Sequence, residues 1–424
     1  MLRTTRRRYL ATFGTAGLAV TAGCISSDDP SYEGTWSRRG FDDARTGVSP
    51  ARGPTGGLHI AWRASVHGGY PVSTPVIADE TVYHLHTRGG IDRRHDTAVS
   101  AFDAATGEER WRTTVSVSGT DSLAYHHDSV VVADDRLYVR TFEGLHALST
   151  VGEHLWTHPV PTTAQPYPIV APPVVTDDVV VTATYGVRTP PVAVVAVDAD
   201  TGETRWRVGF DARRIPWTLS AADGTVFVPF LRGDAGVVAL DLTTGTNQWS
   251  RSLPVDGPVT ISADTMLVPL RENATEFVAA VARRTRRLVW RVPAGRRTES
   301  GVAVTDDLAY YCADGVVVAR RLDSGDRVWS FGPDPRVSLG WTPVVADELV
   351  YAVSARAREG SAPATLYALD RETGTPRGRG RLPRSVTRSG LAVVGGAAYV
   401  ALGHGELLCV ESCSGAVAGR CLLE

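Results

Sequence analysis

A repeated corner constrains this chain more than any other feature. Ala196-Val-Asp198-Ala-Asp-Thr201-Gly202-Glu-Thr-Arg-Trp206 reads A-x-D-x-x-T-G-x-x-x-W. A second full copy runs from Ala101 through Asp103, Thr106 and Gly107 to Trp111, and a third from Ala239 through Asp241, Thr244 and Gly245 to Trp249. The apolar run before each Asp reads as a strand. The Asp carboxylate can accept backbone N–H groups just beyond it and so start a turn. Gly supplies the positive φ that closes a hairpin. The Trp then falls on the returning strand, where its ring can cover a neighbouring unit.

The tryptophans of this strand are Trp62, Trp111, Trp156, Trp206, Trp249, Trp290 and Trp329, spaced by 49, 45, 50, 43, 41 and 39 residues. Gly325 and Gly374 mark further corners; Gly378 and Gly419 stand where the last two tryptophans belong. Between corners lies a second unit, an apolar strand, an acidic turn and another apolar strand, as in Pro173-Val-Val-Thr-Asp177-Asp-Val-Val-Val181. Four short strands in a period of 40–50 residues, with no helical pattern, predict an all-β protein, a β-propeller. Eight acidic-turn units predict eight blades of four antiparallel strands; seven blades follow if the last unit is lost. Trp62 is one strand in surplus at the start, and its predicted place is outermost in the last blade, closing the ring from both chain ends. Two corners depart from the pattern. Arg286 occupies the glycine position before Trp290, and that hairpin is expected to change shape. The turn between Ala147 and Trp156 is one residue shorter.

Residues 1–23 read as a targeting segment. Thr5-Arg6-Arg7-Arg8-Tyr9-Leu10 resembles a twin-arginine export signal, and Thr21-Ala22-Gly23-Cys24 resembles a lipobox, with Thr at its first position. Lipidation is expected at Cys24; a cleaved, unlipidated signal or an uncleaved anchor are the alternatives. Residues 24–57 read as a tether and lead-in, and 58–424 as the propeller. Trp36, Gly40, Arg45-Thr46-Gly47 and Pro50 imply that part of the lead-in packs on the ring. The formal net charge is −2, four arginines lie in the targeting segment, and no lysine occurs. Such a chain gives no reason to expect nucleic acid. An arginine-only basic set fits a GC-rich or haloarchaeal-like genome. Among Cys409, Cys413 and Cys421, one disulfide or buried free thiols are the open alternatives.

The corner motif resembles the pyrroloquinoline-quinone (PQQ) repeat, the tryptophan-docking motif of quinoprotein propellers, from Trp36 to the end of the chain. In style the chain is most similar to the compact BamB-like propeller lipoproteins. The resemblance implies a single-domain propeller without an appended catalytic module. Quinoprotein dehydrogenases of this superfamily carry adjacent cysteines under the quinone and a calcium or lanthanide site. This chain has no adjacent cysteines, and its only asparagines are Asn247 and Asn273. No cofactor is therefore expected, and PQQ is the disfavoured option.

Propellers bind through the loops between blades and between the second and third strands. The repeat places Arg88, Arg93, Arg94, His95, Asp96, Arg188, Arg232, Arg356, Arg358 and His404 in such loops, and Trp217 and Trp341 between blades. Arginines with two tryptophans can hold an acidic peptide or a carbohydrate; a solvated polar rim accounts for the same residues. Ten of the eleven histidines fall between His59 and His158. His84 and His86 share one face of a strand, and with His95 they are weak candidates for zinc or copper; no metal site is assigned. Arg283, Arg284, Arg286 and Arg287 form a basic turn, a solvated corner or a contact for acidic headgroups. Asn273-Ala-Thr275 is a glycosylation sequon. No catalytic constellation stands out.

The expectation is thus an exported propeller on the outer side of the cytoplasmic membrane, lipid-anchored and monomeric, acting as a non-catalytic scaffold for envelope or cell-surface proteins, or for an envelope ligand. A quinone-dependent sugar or alcohol dehydrogenase is the first alternative, and a metal-binding sensor the second.

Overall fold

The computed structural model describes residues 30–66, 69–71, 73–89, 95–118, 130–141, 143–160, 172–176, 178–184, 192–211, 215–231, 236–295, 301–334, 338–355, 363–384, 386–402, 405–413, 416–417 and 420–421. Their strands pair into eight four-stranded antiparallel units. Blade 1 spans 69–118, blade 2 130–159, blade 3 174–209, blade 4 215–251, blade 5 260–293, blade 6 303–331 and blade 7 338–382. Blade 8 takes three strands from 386–412 and its outermost, Gly56–Ser65, from the other end of the chain. Trp62 lies on that outermost strand, as its surplus in the sequence requires.

Blade 3 shows why these sequences stack. In Ala193–Asp198, Val194 and Ala196 pack towards blade 4 with Val226 and Phe230. The alternate residues, Ala193, Val195 and Val197, pack towards blade 2 with Tyr138 and Leu145. A strand covered on both faces needs no polar alternation. Two of the acidic turns hold two residues at positive φ, Asp79 and Glu80 at 47° and 55°, and Asp223 and Gly224 at 48° and 69°. This is the hairpin geometry that Asp and Gly tolerate best.

At the Ala196–Trp206 corner, Asp198 Oδ1 accepts from Asp200 N at 3.0 Å and Thr201 N at 2.9 Å. Arg205 Nη2 donates to Oδ2 at 2.8 Å, and these donors hold the carboxyl down at about 2. Gly202 sits at φ 72° beneath Trp156 of blade 2. A Cβ there would lie 2.6 Å from the indole, whose Nε1 donates to Ala199 O at 3.1 Å. The same seating recurs for Trp62 on Gly107, Trp111 on Gly152, Trp206 on Gly245, Trp290 on Gly325 and Trp329 on Gly374. Trp62 on blade 8 meeting Gly107 on blade 1 closes the ring.

Two joints differ. The corner before Trp290 keeps its shape, contrary to expectation. Arg286 holds φ 60° and donates its N–H to Ala282 O at 2.7 Å, the bond Gly202 makes to Asp198 O. Its guanidinium lies 5.9 Å from the centre of the Trp249 ring, and Arg283 lies 5.8 Å over Phe227 while pairing with Asp223. Cation–π contact with blade 4 offsets the strain of the left-handed backbone. At the blade 7–8 joint, where Gly378 replaces the Trp, the lead-in takes over. Tyr351 OH donates to Pro54 O at 2.9 Å, Thr55 N to Ser412 Oγ at 2.8 Å, and Gly56 and Gly57 pair in parallel with Gly378 and Arg379. Next to it Cys413 is disulfide-bonded, whereas Cys409 is a buried free thiol.

Gly202→Ala is expected to lower stability by about 2 kcal/mol or more, through positive φ and contact with Trp156. Arg286→Gly is expected to stay within about 1 kcal/mol of the parent, since relieved backbone strain balances the lost ring contact. Urea midpoints of the two variants measure both; equal losses would contradict the difference between these joints.

Candidate interaction surface

A propeller's inner strands are edge strands, and their N–H groups need acceptors. The lead-in provides them blade by blade. Trp36 and Ile77 exchange both backbone bonds in blade 1. Ser37 O accepts from Val132 N at 2.9 Å in blade 2, and Asp43 Oδ1 from Val175 N at 3.1 Å in blade 3. The carbonyls of Asp43, Ala44, Thr46 and Gly47 accept from Ala221, Ile261, Val304 and Val345, in blades 4 to 7, each at 2.8 Å. Ser31 N donates to Gly395 O at 2.8 Å, and Arg52 O accepts from Gly396 N at 2.9 Å, both in blade 8. One pass of chain therefore visits every blade.

All these contacts lie beside the acidic turns. Those turns share one end of the ring with the Thr-Gly corners, because Thr81 and Asp103 are direct cross-strand partners. Gly47 N, at blade 7, donates to Gly40 O at 2.9 Å, in the loop between the blade 2 and blade 3 contacts. Blades 3 and 7 are opposite in a ring of eight, so this bond carries the chain across the channel mouth. Within the crossing, buried Arg38 pairs with Asp43 and donates to Pro173 O. Burial pushes Asp43 up, opposed by Arg38, and pushes Arg38 down, opposed by Asp43. Such a pair fixes a geometry more than it adds stability. A cavity of 570 Å³ beside it is lined by Asp134, Tyr138 and Thr176, and one of 1050 Å³ opens between the two arms of the lead-in near Asp347 and Arg377.

Of the loop candidates singled out from sequence, those the structure describes lie towards the opposite, loop end. Asp96 is half-buried on His95–Asp103. Trp217 is half-buried, its N–H donating to Pro229 O at 2.8 Å. Trp341 is half-buried at φ 73°, in a bulge between Gly340 and Val344 of the inner strand of blade 7. A positive φ on a bulky residue is strained, and such strain collects at functional sites. Arg88 and His95 lie in paired strands, but their side chains, with Arg93, Arg94, Arg188, Arg232, Arg356, Arg358 and His404, lie outside the described residues. Asn273 is exposed in a turn of blade 5.

The structure brings His84 and His86 together, buried, with ring centres 6.5 Å apart. A second polar group was missed from sequence. Buried His146 meets Thr141 Oγ1 at 2.9 Å and Thr157 Oγ1 at 3.0 Å; its partners are cross-strand and follow no spacing.

Residues 59–193, 95–260 and 274–420 match the profile of a family described as outer membrane protein assembly factor BamB. The chain belongs to this family. It is 29% identical over 294 residues to the outer membrane protein assembly factor BamB of Burkholderia pseudomallei, covering 63% of this chain and 68% of that one. The crystal structure of BamB from Moraxella catarrhalis superposes with a TM-score of 0.59 at 18% identity, over 85% of this chain and 99% of that one. A europium-containing methanol dehydrogenase superposes at 0.64 and 13% identity, over 89% and 98%. Identities this low show the propeller fold alone.

Burial lowers His84 to about 3 and His86 and His146 to about 4. Unfolded histidines titrate near 6.5, so between these values the unfolded chain binds more protons. Stability should therefore fall as pH drops from 6.5 towards 4, by about 1.4 kcal/mol per pH unit for each of these rings. The Asp198 and Asp370 carboxyls, held at about 2, add their loss only below about pH 4. Denaturant titrations at pH 7, 5.5 and 4.5 check this; a flat profile counts against burial of neutral rings.

Proposed function

We propose that this BamB-family propeller is exported, carries a lipid on Cys24, and works as a non-catalytic scaffold presenting its loop end to envelope proteins or an envelope ligand. The observation that carries the reading is the lead-in crossing the channel at the corner end. In this reading the partner surface is the loop end, where Trp217 and strained Trp341 lie half-buried. Ser31 meets Gly395 at the corner end of blade 8. A lipid on Cys24 is within about 20 Å of Pro30 even along a fully extended chain. The corner end would then face the membrane and the loop end point away. Family membership supports an envelope setting and protein partners.

Photo-crosslinkers placed at Trp217 and Trp341 on intact cells are expected to capture a discrete partner, while one at Glu203 on the corner end captures none. Cys24→Ala is expected to release the protein from the membrane fraction. A saturable, stoichiometric rise in melting temperature with PQQ and calcium, together with dye-linked alcohol or sugar oxidation, would favour the dehydrogenase and overturn the scaffold.

A further inference from the structure

The seam between blades 8 and 1 contains a polar feature that neither the ring nor the scaffold reading uses. His84 and His86 alternate with Val82 on Thr81–Gly89, so all three point to one face. Val82 belongs to the cluster that includes Trp62, Ala64, Val66 and Leu402 of blade 8 and its flank. The pair thus lies in the seam that joins the two chain ends. His84 is fully buried, and neither ring nitrogen has a partner among the described residues. His86 Nε2 lies 3.0 Å from Ser100 Oγ, and its Nδ1 has no partner. Ser100 is tied in turn to Glu109 at 3.2 Å and Arg112 at 3.1 Å, so the nearest carboxylate is engaged by an arginine. Three unpartnered imidazole nitrogens in one apolar seam are costly unless something binds them.

We propose that His84 and His86 form a buried binding site for a monovalent soft metal ion, Cu(I). Imidazole is a good ligand for copper. Two neutral rings in an apolar seam supply no negative charge, so a singly charged ion is far less costly to bury there than a divalent one. Cu(I) also accepts two ligands, whereas Zn(II) sites ordinarily need four. Metal–nitrogen bonds of about 2 Å, with roughly 1.1 Å from each nitrogen to its ring centre, bring the two centres to about 6 Å. The observed separation of the ring centres, 6.5 Å, is close to that span. The neutral rings donate lone pairs, and no bond breaks.

The test is an anaerobic titration of the full chain with Cu(I) against a chromophoric chelator, alongside Zn(II). The expected result is one Cu(I) per chain, a rise in melting temperature on loading, and at least tenfold weaker uptake in His84→Leu and in His86→Leu. The metal-free His84→Leu variant should melt no lower than the parent, because an apolar side chain removes unpartnered nitrogens. His154→Ala, on the surface of blade 2, should bind like the parent. Absence of stoichiometric uptake, undiminished uptake in His84→Leu, or Zn(II) binding in preference to Cu(I) would each overturn the site. A metal-free His84→Leu protein that melts well below the parent would show that His84 is structural instead.

Discussion

The seating of an indole on the next blade's corner is the contact on which the ring depends. It needs two features at once, and most corners add a third. A glycine must leave room for the ring and a carbonyl of the turn must accept from Nε1; at four of the six seatings an Asp also holds the turn, while Ser149 and Arg321 stand in its place before Gly152 and Gly325. At Gly202 these are the absent Cβ, Ala199 O and the fan of donors on Asp198. Each blade exposes two apolar faces, so a blade without neighbours would leave both uncovered. The indole joins blades at the rim while the alternating strand residues join them within. Tyr138 packs at a tilt against Trp156, ring centres 6.0 Å apart, and reaches Ala199 O at 3.3 Å, so the same carbonyl serves both levels.

Where that seating fails, the replacements show what it must achieve. Arg286 gives up the glycine yet keeps the positive φ and the corner hydrogen bond, and it covers the indole with a guanidinium instead of receiving it on a bare backbone. Gly378 gives up the indole, and Pro54 to Gly57 fill the place with backbone. The common requirement is a closed contact between successive corners, whatever group supplies it. The second replacement has a topological consequence. The segment that fills the eighth joint continues directly from the one that bonds the inner strands, so rim and channel are secured by one uninterrupted run from Ser31 to Ser65.

The blade count, the strand order and the place of Trp62 were legible because they rest on local spacing: 39 to 50 residues between tryptophans leave room for four strands and nothing else. The shape of the Arg286 corner was misjudged. Sequence shows the strain of a non-glycine residue but not Trp249 standing ready to offset it. The lead-in's circuit was only hinted at by Trp36, Gly40 and Pro50. Its bonds are mostly to backbone groups, which have no side-chain signature, and its partners lie up to about 360 positions away. His84 and His86 were visible as a pair, but their burial follows from blade 8 closing over blade 1, which no spacing encodes.

The two ends of the ring are unlike for a physical reason. At the corner end the turn geometry is fixed by docking, so Asp, Gly and Trp recur and the surface repeats around the ring. The lead-in can satisfy eight inner strands in one pass only because those strands end alike there. At the loop end no such demand acts: the inner strands of blades 7 and 8 carry bulges of different length, at Gly340–Val344 and Val386–Leu391. Freedom from docking lets that end diverge blade by blade, and divergence is what a single asymmetric partner requires of a ring built from repeats. The regular end, with six joints of one kind, would offer such a partner several near-equivalent orientations; the irregular end offers one.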